Sequence, residues 1–168
     1  MPKIIENLEA RLMEEAKKQI EASGYGAMTI RSVAKACGVG VGTVYNYFPS
    51  KEDLVAKHLL EDWKRCITAI QAVSTYSDTA RPVTLCIYDH LVSFARAHEA
   101  VFRDEAAVSG FAGSFSRYHG MLRMQLAQPL EKFCKSGFAA EFIAEALLSW
   151  TMAGKPFDEI YGMIEKLF

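Results

Sequence analysis

The sequence has no long hydrophobic run. Its apolar stretch at Ala146 to Ala153 is broken by Ser149 and Thr151, far short of the roughly 20 residues that a membrane-spanning helix requires. Glu6, Glu9, Glu14 and Glu15 interrupt the N-terminal apolar residues, which excludes a secretory hydrophobic segment there. Cysteine is scarce and scattered: Cys37, Cys66, Cys86 and Cys134 form no Cys-x-x-Cys pair. That pattern argues against a disulfide frame or a zinc site and for free thiols in a reducing, cytosolic compartment. Eleven glycines and five prolines in 168 residues are too few for a low-complexity or linker-rich chain. Charge of one sign is also lacking, with 19 basic and 20 acidic side chains and a net charge of −1. Indiscriminate gripping of polyanions is thereby excluded, but a local basic patch is not. Length alone points to one domain or two small ones.

What is present is helical periodicity. Ile5, Leu8, Leu12, Ala16 and Ile20 recur at three- and four-residue steps and give one apolar stripe. Gly24 supplies a left-handed stop. Thr29 is a suitable N-cap for a second helix to about Ala36; Cys37-Gly38 breaks it, and a third helix is expected over Val41–Tyr47. Pro49 stops that helix, and Ser50 followed by Asp53 opens a fourth, expected to reach about Ser74. Pro82 begins a fifth, with Leu85, Tyr88, Val92 and Ala95 expected on its buried side. Further helices are expected over Val101–Val108, Ser114–Lys135 with a kink at Pro129, Ala139–Ala153 and Pro156–Leu167. No strand and no internal repeat is evident, so the expected class is all-α.

The segment Thr29 to Leu54 reads TIRSVAKACGVGVGTVYNYFPSKEDL: helix, glycine turn, short helix, the helix-turn-helix plan. Ile30, Val33, Ala34, Val39, Val44 and Phe48 can form its small core, leaving Val41, Gly42, Thr43, Tyr45, Asn46 and Tyr47 to be shared between packing and an exposed face. Hydroxyls of Thr43, Tyr45 and Tyr47 suit phosphate oxygens, and Asn46 carries the amide fork that reads adenine in the major groove. No acidic residue occurs from Ala22 to Lys51, while Arg31, Lys35 and Lys51 add positive charge. The window Ala106 to Leu130 is also free of acids, so it is the coincidence with the helix-turn-helix that gives the pattern meaning.

These residues resemble the TetR family of bacterial transcriptional regulators. The likeness runs from Gly24-Tyr25 through Thr29, Val33-Ala34, Ala36, Gly38-Val39, Gly42-Thr43-Val44-Tyr45 and Tyr47-Phe48 to Ser50-Lys51-Glu52 and Leu54. It covers about the first third of the chain. Cys37 stands where alanine is usual, and Gly40 where a capping serine is common. The resemblance implies a three-helix DNA-binding domain at 1–50 and a helical ligand-binding and dimerisation domain at 51–168, with 51–74 as a connecting helix. It implies backbone contacts to double-stranded operator DNA from Thr29, Thr43, Tyr45, Tyr47 and Lys51, and base contacts from Val41, Gly42 and Asn46.

The rest of the chain is less legible. The resemblance implies a cavity for a small hydrophobic or aromatic ligand, for which Trp63, Tyr88, Phe94 and His98 are candidates together with Phe115, Tyr118, His119 and Met121. It also implies a homodimer seam. Phe142, Ala146, Ser149, Trp150 and Ala153 form one candidate stripe, and Ile160, Tyr161, Ile164 and Phe168 another. His90 and His98 lack the i, i+4 spacing that sets two imidazoles on one ion, so no metal and no cofactor is expected. No nucleophile–base or paired-carboxylate spacing suggests an enzyme. The expected function is a cytoplasmic, dimeric, ligand-released repressor. Alternatives are a similar regulator whose C-terminal domain docks a protein, or a helical ligand carrier or enzyme.

Overall fold

The computed structural model describes residues 7–168, with the Phe115 side chain excepted; Ile5 of the first stripe lies outside the described residues. The helices are α1 (Leu8–Ser23), α2 (Ile30–Cys37), α3 (Val41–Tyr47), α4 (Lys51–Tyr76) and α5 (Ala80–Ala97), then α6 (Glu99–Phe102), α7 (Glu105–Phe111), α8 (Phe115–Ala127), α9 (Gly137–Met152) and α10 (Phe157–Ile164). Tight 3-10 turns occupy Ala112–Ser114, Gln128–Phe133 and Glu165–Leu167. There is no strand among the described residues. The fold is all-α.

The chain forms two compact units. One comprises the chain up to Glu61 together with His98–Gly113, and the other comprises Asp62–Ala97 and Ser114–Phe168. This partition cuts across the division at residue 50 expected from sequence. Val101 and Ala107 are buried in the same core as Leu12, Met28, Val33, Val44 and Leu54, so α6 and α7 complete the apolar faces of the N-terminal helices. Leu12, Val33 and Val44 are fully enclosed; trimming Leu12 to alanine would cost about 2–5 kcal/mol. At Gly110 on α7 a Cβ would lie 3.1 Å from Glu52 Oε1 and 3.5 Å from the Tyr25 hydroxyl, so the Glu52 side chain would have to give way to any larger residue.

In the second unit Ile70, Val83, Ile87, Leu91, Leu126, Leu130, Ile143 and Leu147 are enclosed in one cluster. The buried face of α5 is therefore Val83, Ile87 and Leu91; the expected stripe is rotated, with Leu85 exposed and Tyr88, Val92 and Ala95 half-buried. The error has a simple cause: α5 carries apolar residues around much of its circumference, so period alone does not choose a face. Pro129 ends α8 rather than kinking it, because the chain tightens into a 3-10 turn at Gln128. The single expected segment at Val101–Val108 is two helices, divided where Asp104 accepts hydrogen bonds from Ala106 N (2.9 Å) and Ala107 N (3.3 Å). At the end of α4, which has no basic residue in its last turn, Lys132 donates to the carbonyls of Ser74 and Ser77. That contact supplies a cation to carbonyls that the helix itself cannot satisfy.

Candidate functional site

Local chemistry builds the helix-turn-helix. The Thr29 hydroxyl accepts from Ser32 N at 3.0 Å, and Ser32 Oγ accepts from Thr29 N at 3.1 Å, a reciprocal capping box. At the far end of α2, Gly38 adopts φ +69°, the left-handed region where side chains are strained. Gly38 N donates to Lys35 O and Val39 N to Ala34 O, closing the helix in a Schellman turn. Arg11, reaching from α1, adds a bond to Cys37 O at 3.1 Å. Gly40 precedes α3 with no side-chain cap. Within α3 only Val44 is buried, and Phe48 is enclosed just after it.

Those anchors decide which side of α3 is left to solvent. Gly42, Tyr45, Asn46 and Tyr47 are exposed, with Tyr45 at 50% and Tyr47 at 46%, while Val41 and Thr43 are half-buried. Thr29 is exposed at the start of α2, beside exposed Arg31 and Lys35. The structure thus places the sequence candidates on two adjoining short helices. Lys51 is placed differently. Its ammonium donates to the Tyr25 carbonyl at 2.5 Å and lies 4.0 Å from the Tyr25 ring centroid. Burial lowers its pKa, against the opposing pull of Glu52 and Asp104. The Tyr25 phenol donates to Glu52 Oε1 at 2.9 Å, and burial with this bond raises its pKa far above the usual range. Asp104 accepts from Gly26 N at 2.9 Å; this bond chiefly holds its carboxyl below the ordinary value.

The candidates of the second half fall into separate groups. Trp63 is buried, donates to Gln125 Oε1 at 2.7 Å and meets Phe94 edge-on at 5.5 Å between centroids. Tyr88 packs against Phe157 at 5.6 Å. His119 lies 2.9 Å from Glu145 Oε2, and Glu145 accepts from Ser149 at 2.6 Å; these bonds hold its carboxyl below the usual range, the Ser149 bond foremost. Tyr118 and Met121 are half-buried, and the Phe115 side chain lies outside the described residues. His98 is buried within the first unit, beside His58.

Of the seam candidates, Phe142 and Trp150 are each 54% exposed on α9, with Ser149 and Ala153 also exposed and Ala146 half-buried. Phe138, one turn before Phe142, is 77% exposed. Ile160 and Ile164 are corrected: both are buried in the unit's own core, so α10 turns its aliphatic edge inward. Tyr161 and Phe168 are half-buried against the same core. All four cysteines are free thiols, and burial raises the pKa of each. Among the described residues no helix is long and apolar enough to cross a membrane.

Two short helices joined by a glycine turn, the second with exposed polar and aromatic side chains, follow the helix-turn-helix plan. Residues 12–57 match the family model described as bacterial regulatory proteins, tetR family. The uncharacterized HTH-type transcriptional regulator YuxN of Bacillus subtilis (strain 168) is 33% identical over 73 residues, 44% of this chain and 25% of that protein. This chain spans about a quarter of the length of the first curated relatives it matches. Two solved structures share the fold. The TetR family repressor AlkX from Dietzia sp. strain DQ12-45-1b has TM-score 0.62 at 16% identity, over 92% of each chain. FadR from Bacillus subtilis, in complex with stearoyl-CoA, has TM-score 0.55 at 18% identity, over 94% of this chain and 96% of that one. The likeness to the TetR family is thus shown over residues 12–57. The curated relatives are transcriptional regulators, not enzymes.

Proposed function

We propose that the chain is a cytoplasmic transcriptional regulator, a repressor that binds a palindromic operator as a homodimer and is released by an apolar ligand. The observation that carries this reading is the α3 face. Gly42, Tyr45, Asn46 and Tyr47 are exposed in a stretch without a single acidic side chain from Ala22 to Lys51. In this reading Asn46, Gly42 and Val41 face base edges, while Thr29, Thr43, Tyr45 and Tyr47 hold phosphates. Lys51 joins them only by sharing its ammonium with Tyr25.

Dimerisation is supported by Phe138, Phe142 and Trp150, which one subunit leaves exposed on a single helix; apolar patches of this kind mark association surfaces. Two recognition helices related by a two-fold axis would enter successive major grooves about 34–36 Å apart. The aromatic residues Trp63, Tyr88 and Phe94 with Met121 supply apolar surface for a ligand, and the similarity in fold to FadR with its stearoyl-CoA favours an acyl or comparable hydrophobic compound. Such a ligand would act by binding more tightly to the dimer geometry that does not fit the operator.

Selection of bound sequences from random DNA tests the reading. The expected result is an enriched palindrome with half-site centres one helical turn apart, bound less tightly by Asn46→Ala. No enrichment above non-specific binding at physiological salt would overturn it.

A further inference from the structure

Within the first unit, α1 holds α2 at both of its ends. At the far end Arg11 donates to Cys37 O at 3.1 Å. At the start the Ser32 hydroxyl donates to Gln19 Oε1 at 2.5 Å, and Gln19 Nε2 donates to Glu15 Oε1 at 2.8 Å, one turn back on α1. This chain of bonds has a fixed direction. A carboxylate only accepts, so Glu15 takes the Gln19 amide N–H and turns the amide carbonyl toward Ser32. With its proton on Gln19, Ser32 keeps its lone pairs for Thr29, whose N–H and hydroxyl both donate to Ser32 Oγ at 3.1 Å. The Thr29 hydroxyl oxygen in turn accepts from Ser32 N at 3.0 Å. Gln19 and Ser32 are half-buried, and Thr29 is exposed at the end of the chain.

We propose that Gln19 is a positioning residue for DNA: acting through Ser32, it holds the Thr29 hydroxyl as a donor for a phosphate oxygen. The Thr29 oxygen is occupied by Ser32 N, so the proton is what the hydroxyl can offer. Its resting partner is the neutral Ser32 oxygen at a long 3.1 Å. A charged phosphate oxygen is the stronger acceptor and can take that proton while the cap on Ser32 N stays closed. Exposed Arg31 and Lys35 on the same helix favour an anion there. Gln19 itself need not touch the DNA; it fixes which way the hydroxyls of Ser32 and Thr29 point. This inference rests on the DNA-binding reading and assigns to it a residue of α1 that lies outside the helix-turn-helix.

A double-mutant cycle on the full chain tests this. Gln19→Met keeps the side-chain length and removes both hydrogen bonds. Ser32 retains the Thr29 carbonyl, 2.8 Å away, as an acceptor for its proton, so helix content by circular dichroism should be unchanged. Thr29→Gly removes the hydroxyl at a position where glycine is a tolerated cap. Affinities of the wild type, both single variants and the double variant are measured by fluorescence anisotropy on the palindrome enriched from random DNA. Gln19→Met should weaken binding about three- to tenfold in the wild type, the range of one neutral hydrogen bond. In the Thr29→Gly background the same change should cost less than about twofold, because the two residues act in one network. A merely structural role would lower affinity equally in both backgrounds. That outcome, or unchanged affinity in Gln19→Met, would overturn the proposal and leave the DNA-binding reading standing. If no palindrome is enriched, that reading falls first and this inference with it.

Discussion

The Lys51 ammonium donates to the Tyr25 carbonyl at 2.5 Å and lies over the ring of the same tyrosine, 4.0 Å from its centroid. A residue that the family resemblance assigns to DNA is thus also a strut between the start of α4 and the turn after α1. Lys51→Ala should therefore destabilise the protein by about 1–2 kcal/mol, the scale of a partly desolvated cation–π contact. It should also reduce the slope of log affinity against log salt by about 0.9 if the ammonium neutralises one phosphate. Urea melts and binding titrations at several salt concentrations separate these roles. Lost stability with an unchanged slope would assign Lys51 to Tyr25 alone.

Gly38 and Gly42 should respond in opposite directions to alanine. A Cβ at either meets nothing within 4 Å, so backbone conformation decides. Gly38 has φ +69°, and Gly38→Ala should cost about 1–2 kcal/mol. Gly42 is helical and exposed, and Gly42→Ala should gain about 0.5–1 kcal/mol. The same Gly42 variant should bind operator more weakly, because a methyl group would hold α3 away from the bases. Stability and affinity moving together in Gly42→Ala would refute that close approach.

Asp104 gives the first unit an acid limb. Its folded pKa is depressed, first by the Gly26 bond and further by the Ala107 and Ala106 bonds and by Lys51. The unfolded chain therefore takes up this proton at a higher pH than the folded protein does. The stabilisation is complete above the ordinary value of 3.8 and is lost as pH falls through the lower folded value. Asp104→Ala should be less stable than the wild type at neutral pH, with the gap closing under acid. Denaturant midpoints followed from neutral pH downward check this; a gap independent of pH would remove the charge from the account.

Phe142→Asp with Trp150→Asp should yield a folded monomer. Both side chains are more than half exposed in the single subunit, so neither substitution opens the core. Sedimentation should show a dimer for the wild type and a monomer for the double variant, with equal helix content. A wild type that stays monomeric at all concentrations would overturn the dimer.

Legibility followed the range of the interactions. The Thr29 cap, the Gly38 turn and the Ser50–Asp53 start of α4 could all be read from neighbouring residues. Each depends on backbone groups a few positions away. The Thr29 cap accepts from Ser32 N and the Ser50 cap from Asp53 N. Less could be read where apolar residues surround a helix. On α5 the buried face proved to be Val83, Ile87 and Leu91, and Ile160 and Ile164 on α10 turned inward.

The sequence by itself determined the all-helical class and the helix-turn-helix, because caps, glycine turns and apolar period act within a few residues. Only the tertiary structure decided that α6 and α7 complete the N-terminal core, that Lys51 is held by Tyr25, and that His58 and His98 lie side by side. Those arrangements join segments far apart in the chain. They are selected by how well whole apolar faces fit together, which no local pattern encodes.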